Sequence, residues 1–139
     1  MKINIDTLDK KVLKIALEEE IERQSINREI IKSQINCGIR FDGDENLILE
    51  LNRLELSFKK ISRKRKPIFE ISDEELMFLE RMIKNQMCIS NSRINDWKTY
   101  FKQNKDILEE KEQLELIRYD ENILNCMKEL TKILNHEKK

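Results

Sequence analysis

Few residues in this chain could carry chemistry, and their spacing decides what each can do. The one histidine, His136, lies three residues from the C-terminus, where no Ser-His, Cys-His or metal-ligand arrangement can be built around it. Cys37, Cys88 and Cys126 are far apart, with no Cys-x-x-Cys pair, and read as free thiols of a reducing compartment. Asp42, Asp44 and Asn46 imitate the first ligands of a calcium loop. Leu47 stands where that loop needs glycine, however, and Arg53 where it needs a bidentate glutamate. Two acidic clusters, Glu18-Glu19-Glu20 with Glu22 and Glu109-Glu110 with Glu112, lack the Glu-x-x-His motif of two-metal bundle sites and read as solvated helix faces. Two glycines are too few for a loop that cradles phosphate. The expectation is a protein without catalytic set, metal or cofactor.

Two groups point to binding instead. Lys59, Lys60, Arg63, Lys64, Arg65 and Lys66 put six cations in eight residues before Pro67. At a helix C-terminus such cations complement the dipole, each by about 0.3–1 kcal/mol. They could equally meet the phosphates of a nucleic acid or an acidic protein. Lys64-Arg65-Lys66-Pro67 would also serve as a nuclear address in a eukaryotic source. Ile26 to Ile35 before Gly38 imitates a helix-turn-helix, yet its exposed face carries no base-reading set. The second group is Trp97, Tyr100 and Phe101, the densest aromatic cluster. At helical spacing such a trio is either core or, when exposed, a contact patch for a partner protein.

The elements that position these residues follow from how little interrupts the chain. Two glycines, Gly38 and Gly43, and one proline occur in 139 residues, so nothing else forces the backbone out of a helix. The chain reads as an all-α, single-domain bundle of five or six helices spanning 1–139. Charged residues make up 39%, which suits helices with narrow apolar stripes and wide solvated faces. Acids and bases balance at 27 each, so any electrostatic function is local. No apolar run approaches the roughly 20 residues that span a bilayer, and the first residues lack the apolar core of a signal peptide. A cytoplasmic protein is expected. The abundance of Ile, Lys and Asn suggests AT-rich coding, as in some bacteria and their phages.

A first helix should open near Asp6 or Thr7, bend or restart between Glu22 and Ser25, and end at Gly38. Ile39 and Phe41 should pin the next loop to the core. Leu47, Leu51, Leu54, Phe58 and Ile61 form an a/d seam on a second helix that stops before Pro67. Ser72 and Glu75 make a capping box, with Ile71 and Leu76 as its staple. That helix should break at Ser90-Asn91-Ser92, leaving a short helix with Ile94, Trp97 and Phe101. A last helix, starting near Asp106, carries Leu116, Tyr119, Ile123, Met127, Leu130 and Leu134, and should fray from His136 onward.

The chain also echoes itself. Sliding 5–21 onto 71–87 places Ile5 on Ile71, Asp9 on Glu75 and Leu13 on Leu79, and Asp44-Glu45-Asn46 resembles Asp120-Glu121-Asn122. Two duplicated helical hairpins, 5–66 and 71–135, would pack face to face. The functional expectation is a small intracellular, non-catalytic binding protein. It would be a regulator, adaptor or inhibitor, with a phage origin fitting its size, and would touch a protein partner through Trp97, Tyr100 and Phe101. The alternative is nucleic-acid binding through Lys59–Lys66. Self-association through the Leu47–Ile61 face is a third possibility.

Overall fold

The computed structural model describes residues 1–138. It is mostly helical, with four helices and one small sheet. β1 (Lys2–Asn4) is followed by α1 (Lys10–Asn36) and α2 (Asp44–Ser62), and β2 (Ile68–Glu70) by α3 (Asp73–Gln103) and α4 (Glu110–Glu137). The order strand, helix, helix thus occurs twice. β1 and β2 pair antiparallel, with Lys2 opposite Glu70, Ile3 opposite Phe69 and Asn4 opposite Ile68. The ladder continues past both strands, since Ile5 N–H donates to the Pro67 carbonyl and Ile71 N–H to the Met1 carbonyl.

Local chemistry sets the ends of the helices. Asp9 caps α1 by accepting from the N–H groups of Lys11 and Val12. At the other end Gly38, at φ +84°, closes a Schellman motif. Its N–H donates to Ile35 and that of Ile39 to Gln34. α2 starts after Gly43, carries Asp44 and Glu45 in its first turn and has Lys59 and Lys60 in its last, so charge matches the dipole at both ends. The capping box at Ser72 and Glu75 forms in full.

α1 and α2 make one helical hairpin, α3 and α4 the other. Their apolar stripes meet in a core that includes Leu13, Ala16 and Leu17 of α1, Leu54, Phe58 and Ile61 of α2, Phe78 and Met82 of α3, and Met127 and Leu130 of α4. Ile3, Ile5, Phe69 and Ile71 close it under the strands. The core reaches only the first part of α1. Beyond it each hairpin continues as an arm. The α3–α4 arm buries Ile94 and Phe101, whereas on the α1–α2 arm Ile26 and Ile30 stay exposed.

Several expectations change. The count of five or six helices becomes four, because α3 runs without a break through Ser90, Asn91 and Ser92. Ser90 is fully buried, and the packing of this face overrides weak local propensity. The Trp97 segment is therefore the end of α3, not a separate helix. α1 is likewise continuous across Glu22–Ser25. α4 opens at Glu110 rather than near Asp106, and stays helical through His136 to Glu137. Ile39 and Phe41 do not pin their loop; Phe41 is 64% exposed. The strands escaped notice because three residues give too short an alternation to register.

Phe58→Ala, which empties the shared core, should cost about 3–5 kcal/mol in urea unfolding. Phe41→Ala should stay within about 0.5 kcal/mol of the parent. Equal losses for the two would contradict this division between core and arm.

Candidate functional site

The structure places the two groups singled out by sequence far apart. Lys59 and Lys60 end α2, Arg63 caps it, and Lys64, Arg65 and Lys66 lead into β2. The aromatic trio lies toward the far end of α3, about 36–42 Å of helix from its start beside β2. Within the run, Lys59 is tied to Glu55 at 2.8 Å and Lys64 sits over the Phe69 ring at 5.6 Å, a cation–π contact. Lys60, Arg63, Arg65 and Lys66 have no ion-pair partner among the described residues.

Trp97 and Phe101 stack with ring centroids 5.2 Å apart and planes 12° from parallel. Tyr100 meets Phe101 edge-on at 5.8 Å. Phe101 is buried, Trp97 half-buried and Tyr100 exposed. The trio thus closes the end of the second arm, leaving Tyr100 and part of Trp97 toward solvent. On α2, Leu51, Leu54, Phe58 and Ile61 of the seam are buried within the chain, and only Leu47 is exposed.

The sequence reading missed the polar centre where α1 crosses α3. Glu20, in the acidic run expected to form a solvated face, is 1% exposed. Its carboxylate accepts from Gln24 Nε2 at 2.9 Å, Asn85 Nδ2 at 3.1 Å and Gln86 Nε2 at 3.2 Å, and pairs with Arg23. Beside it Arg93 bridges Glu19 at 3.5 Å and Asp120 at 3.4 Å, while Tyr119 donates its hydroxyl to Glu19 at 2.9 Å. The signal was there in the spacing. Glu20 continues the Leu13–Ala16–Leu17 stripe by one turn, and Gln86 continues Phe78–Met82–Ile83 in the same way.

Burial pushes the Asp120 carboxyl above its usual value, against the pull of Arg93. Burial and the neighbouring Glu19 carboxylate raise Tyr119. Burial also takes the Cys126 thiol to about 11, which leaves it protonated at neutral pH. On the side of α1 that faces α2, Arg28 holds Asn52 at 2.8 Å and Glu55 at 2.5 Å. The hydrogen bond from Lys59, with help from Arg28, keeps Glu55 below the ordinary carboxylate range. These charged groups pair with one another and join the helices.

Two clefts flank α1. One, of about 500 Å³, lies between α1 and α2 over Ile21, Ser25, Glu55 and Lys59. The other, of about 290 Å³, lies between α1 and α3, with Glu22, Ile26, Gln86 and Ile89 in its walls. Comparisons of the chain with protein-family models, with curated proteins and with solved structures find no match.

Two carboxylates give opposite pH signatures. Glu55, held below 4.5, adds stability that is complete above that value and fades as pH falls through its lowered pKa. Asp120, held above 3.8, adds stability that is complete below that value and is lost as pH rises through its raised pKa. Glu55→Gln should therefore lower the urea midpoint near neutral pH and lose that effect in acid. Asp120→Asn should gain on the parent as pH rises. Parallel pH profiles for parent and variant would refute either assignment.

Proposed function

We propose that this chain acts by binding another protein, as a regulator, adaptor or inhibitor, and carries out no reaction of its own. One observation carries the reading. On the half of α1 beyond the core, Ile26 and Ile30 are 54% and 51% exposed, and Ile39, Phe41 and Leu47 extend apolar surface around the end of the same arm. Exposed apolar side chains gathered on one arm are stabilised when a partner covers them. Tyr100 and the outer part of Trp97 would add a lesser contact on the other arm. The exposed thiols of Cys37 and Cys88 fit a reducing compartment such as the cytoplasm.

The reading includes a duplicated strand–helix–helix unit. In its favour, the offset that carries Ile5 onto Ile71 also relates Ile3 to Phe69, which face each other in the ladder. The same offset relates Glu20 to Gln86, which bond at the crossing. It places Ser92 and Asp96 opposite Ile26 and Ile30 in the alignment. The apolar strip therefore belongs to the first half alone and is not a residue of the repeat.

A second reading, nucleic-acid binding, draws on Lys60, Arg63, Arg65 and Lys66, all exposed. Protein binding predicts that affinity capture from source cells yields a partner lost with Ile26→Asp/Ile30→Asp and kept with Lys60→Gln/Arg63→Gln/Arg65→Gln/Lys66→Gln. Partners indifferent to the isoleucines would overturn it. Titration with mixed-sequence DNA and RNA separates the second reading. Micromolar affinity that falls steeply with salt, and disappears when those four cations are neutralised, would put nucleic acid first.

A further inference from the structure

We propose that β2 is the seat of a homodimer, its outer edge pairing antiparallel with the same edge of a second copy. The ladder shows which backbone groups are spare. Ile5 N–H donates to Pro67 and Ile71 N–H to Met1. The bonded pairs are therefore Met1–Ile71, Ile3–Phe69 and Ile5–Pro67, and the residues between them turn the other way. Ile68 and Glu70 thus point their N–H and C=O groups outward, and no hydrogen bond answers them among the described residues. β1 lies against α4, whereas β2 has no helix beside it. Ile68 is 53% exposed and Glu70 is exposed as well. An open edge of this kind is a template for another strand. The α2 seam, by contrast, is buried within the chain and has little left for a second copy.

The charges around β2 make the edge complementary to itself. Arg63, Arg65 and Lys66 precede the strand, and Glu70, Asp73, Glu74 and Glu75 end it or follow it. Of these acids, Glu74 is held by Arg53 and Glu75 by its capping box, and Glu70 lies opposite Lys2 in the ladder. Asp73 has no ion-pair partner among the described residues. A two-fold axis through Phe69 sets Ile68 opposite the second copy's Glu70 and uses both outward residues of each strand. It also brings Arg65 and Lys66 of each copy toward Asp73 of the other. The two Ile68 side chains then lie diagonally across the axis, within reach of each other. Centring on Glu70 would set like charges face to face, and centring on Ile68 would leave Glu70 without a strand residue opposite. Lysines and a proline beside an edge ordinarily deter pairing. Here the antiparallel arrangement turns those cations onto acids. Pro67 occupies an inward position, where its missing N–H costs the outer edge nothing.

The test combines sedimentation equilibrium of the full chain across the micromolar range with amide hydrogen exchange by NMR. The expected result is a monomer–dimer equilibrium of micromolar strength that weakens as salt rises. The Ile68 and Glu70 amides should gain protection with protein concentration, while those of Ile3 and Phe69 stay unchanged. Arg65 and Asp73 are exposed, so Arg65→Glu and Asp73→Arg should fold normally. Each should weaken self-association about tenfold. Mixing the two variants should restore it, because both charge contacts of the mixed pair then join opposite signs. A monomer throughout this range, or a dimer whose Ile68 and Glu70 amides exchange as fast as in the monomer, would overturn the proposal. So would variants that keep the parental circular dichroism yet recover nothing on mixing. The exchange measurement needs no variant and decides alone if either one fails to fold. The outcome is independent of the protein-binding reading, since Ile26 and Ile30 lie on the far side of the Glu20 crossing from the sheet.

Discussion

A carboxylate at the crossing of two helices governs the geometry around it. Taking an ion out of water costs several kcal/mol unless charge and hydrogen bonds replace the solvent. Glu20 meets that demand with Arg23 and Gln24 from its own helix and Asn85 and Gln86 from α3. Neither helix can slide or rotate at this point without orphaning a donor or the acceptor itself. The crossing is therefore a fixed joint. On the strand side of it the four apolar stripes converge, and on the other side the hairpins part.

That division explains why the two arms differ. The α3–α4 arm carries apolar filling of its own in Ile94 and Phe101, with Trp97 stacked on the latter. The α1–α2 arm relies more on polar ties, with Arg28 reaching Asn52 and Glu55 across the hairpin, while Ile26 and Ile30 face away from any cover. An arm held together by hydrogen bonds and ion pairs can leave its apolar residues on the outside. The aromatic packing of the other arm buries Phe101 but still leaves Ile107, Leu114 and Leu116 exposed.

Much of this was legible in the residues. The Schellman glycine at Gly38, the cap at Ser72 and the alternating seam of α2 each rest on a local rule, and local rules need no knowledge of the rest of the chain. Other features depended on distant partners. The continuity of α3 through Ser90 comes from burial of that face. The strands at Lys2 and Ile68 exist only because each supplies the other's hydrogen bonds. By its charge Glu20 reads as solvated, although its place on the Leu13–Leu17 stripe marks it as inward. The exposure of Phe41 could not be read from the sequence, since a bulky apolar residue in a short loop carries no label for the side it faces.

The antiparallel ladder has a kinetic consequence. Ile3 cannot find Phe69 until the whole first hairpin and the basic connection have been made. Each helical hairpin joins near neighbours in the chain, whereas the ladder and the Glu20 crossing close long loops. Contacts of high sequence separation form slowly because chain entropy must be lost before they repay it. On the ribosome, α1 and α2 can therefore associate early, while Leu13, Ala16 and Leu17 wait for α4 to complete their cover. Throughout that interval the nascent chain presents an apolar stripe that the finished fold conceals, and the speed of synthesis sets how long it remains open to chaperones or to aggregation.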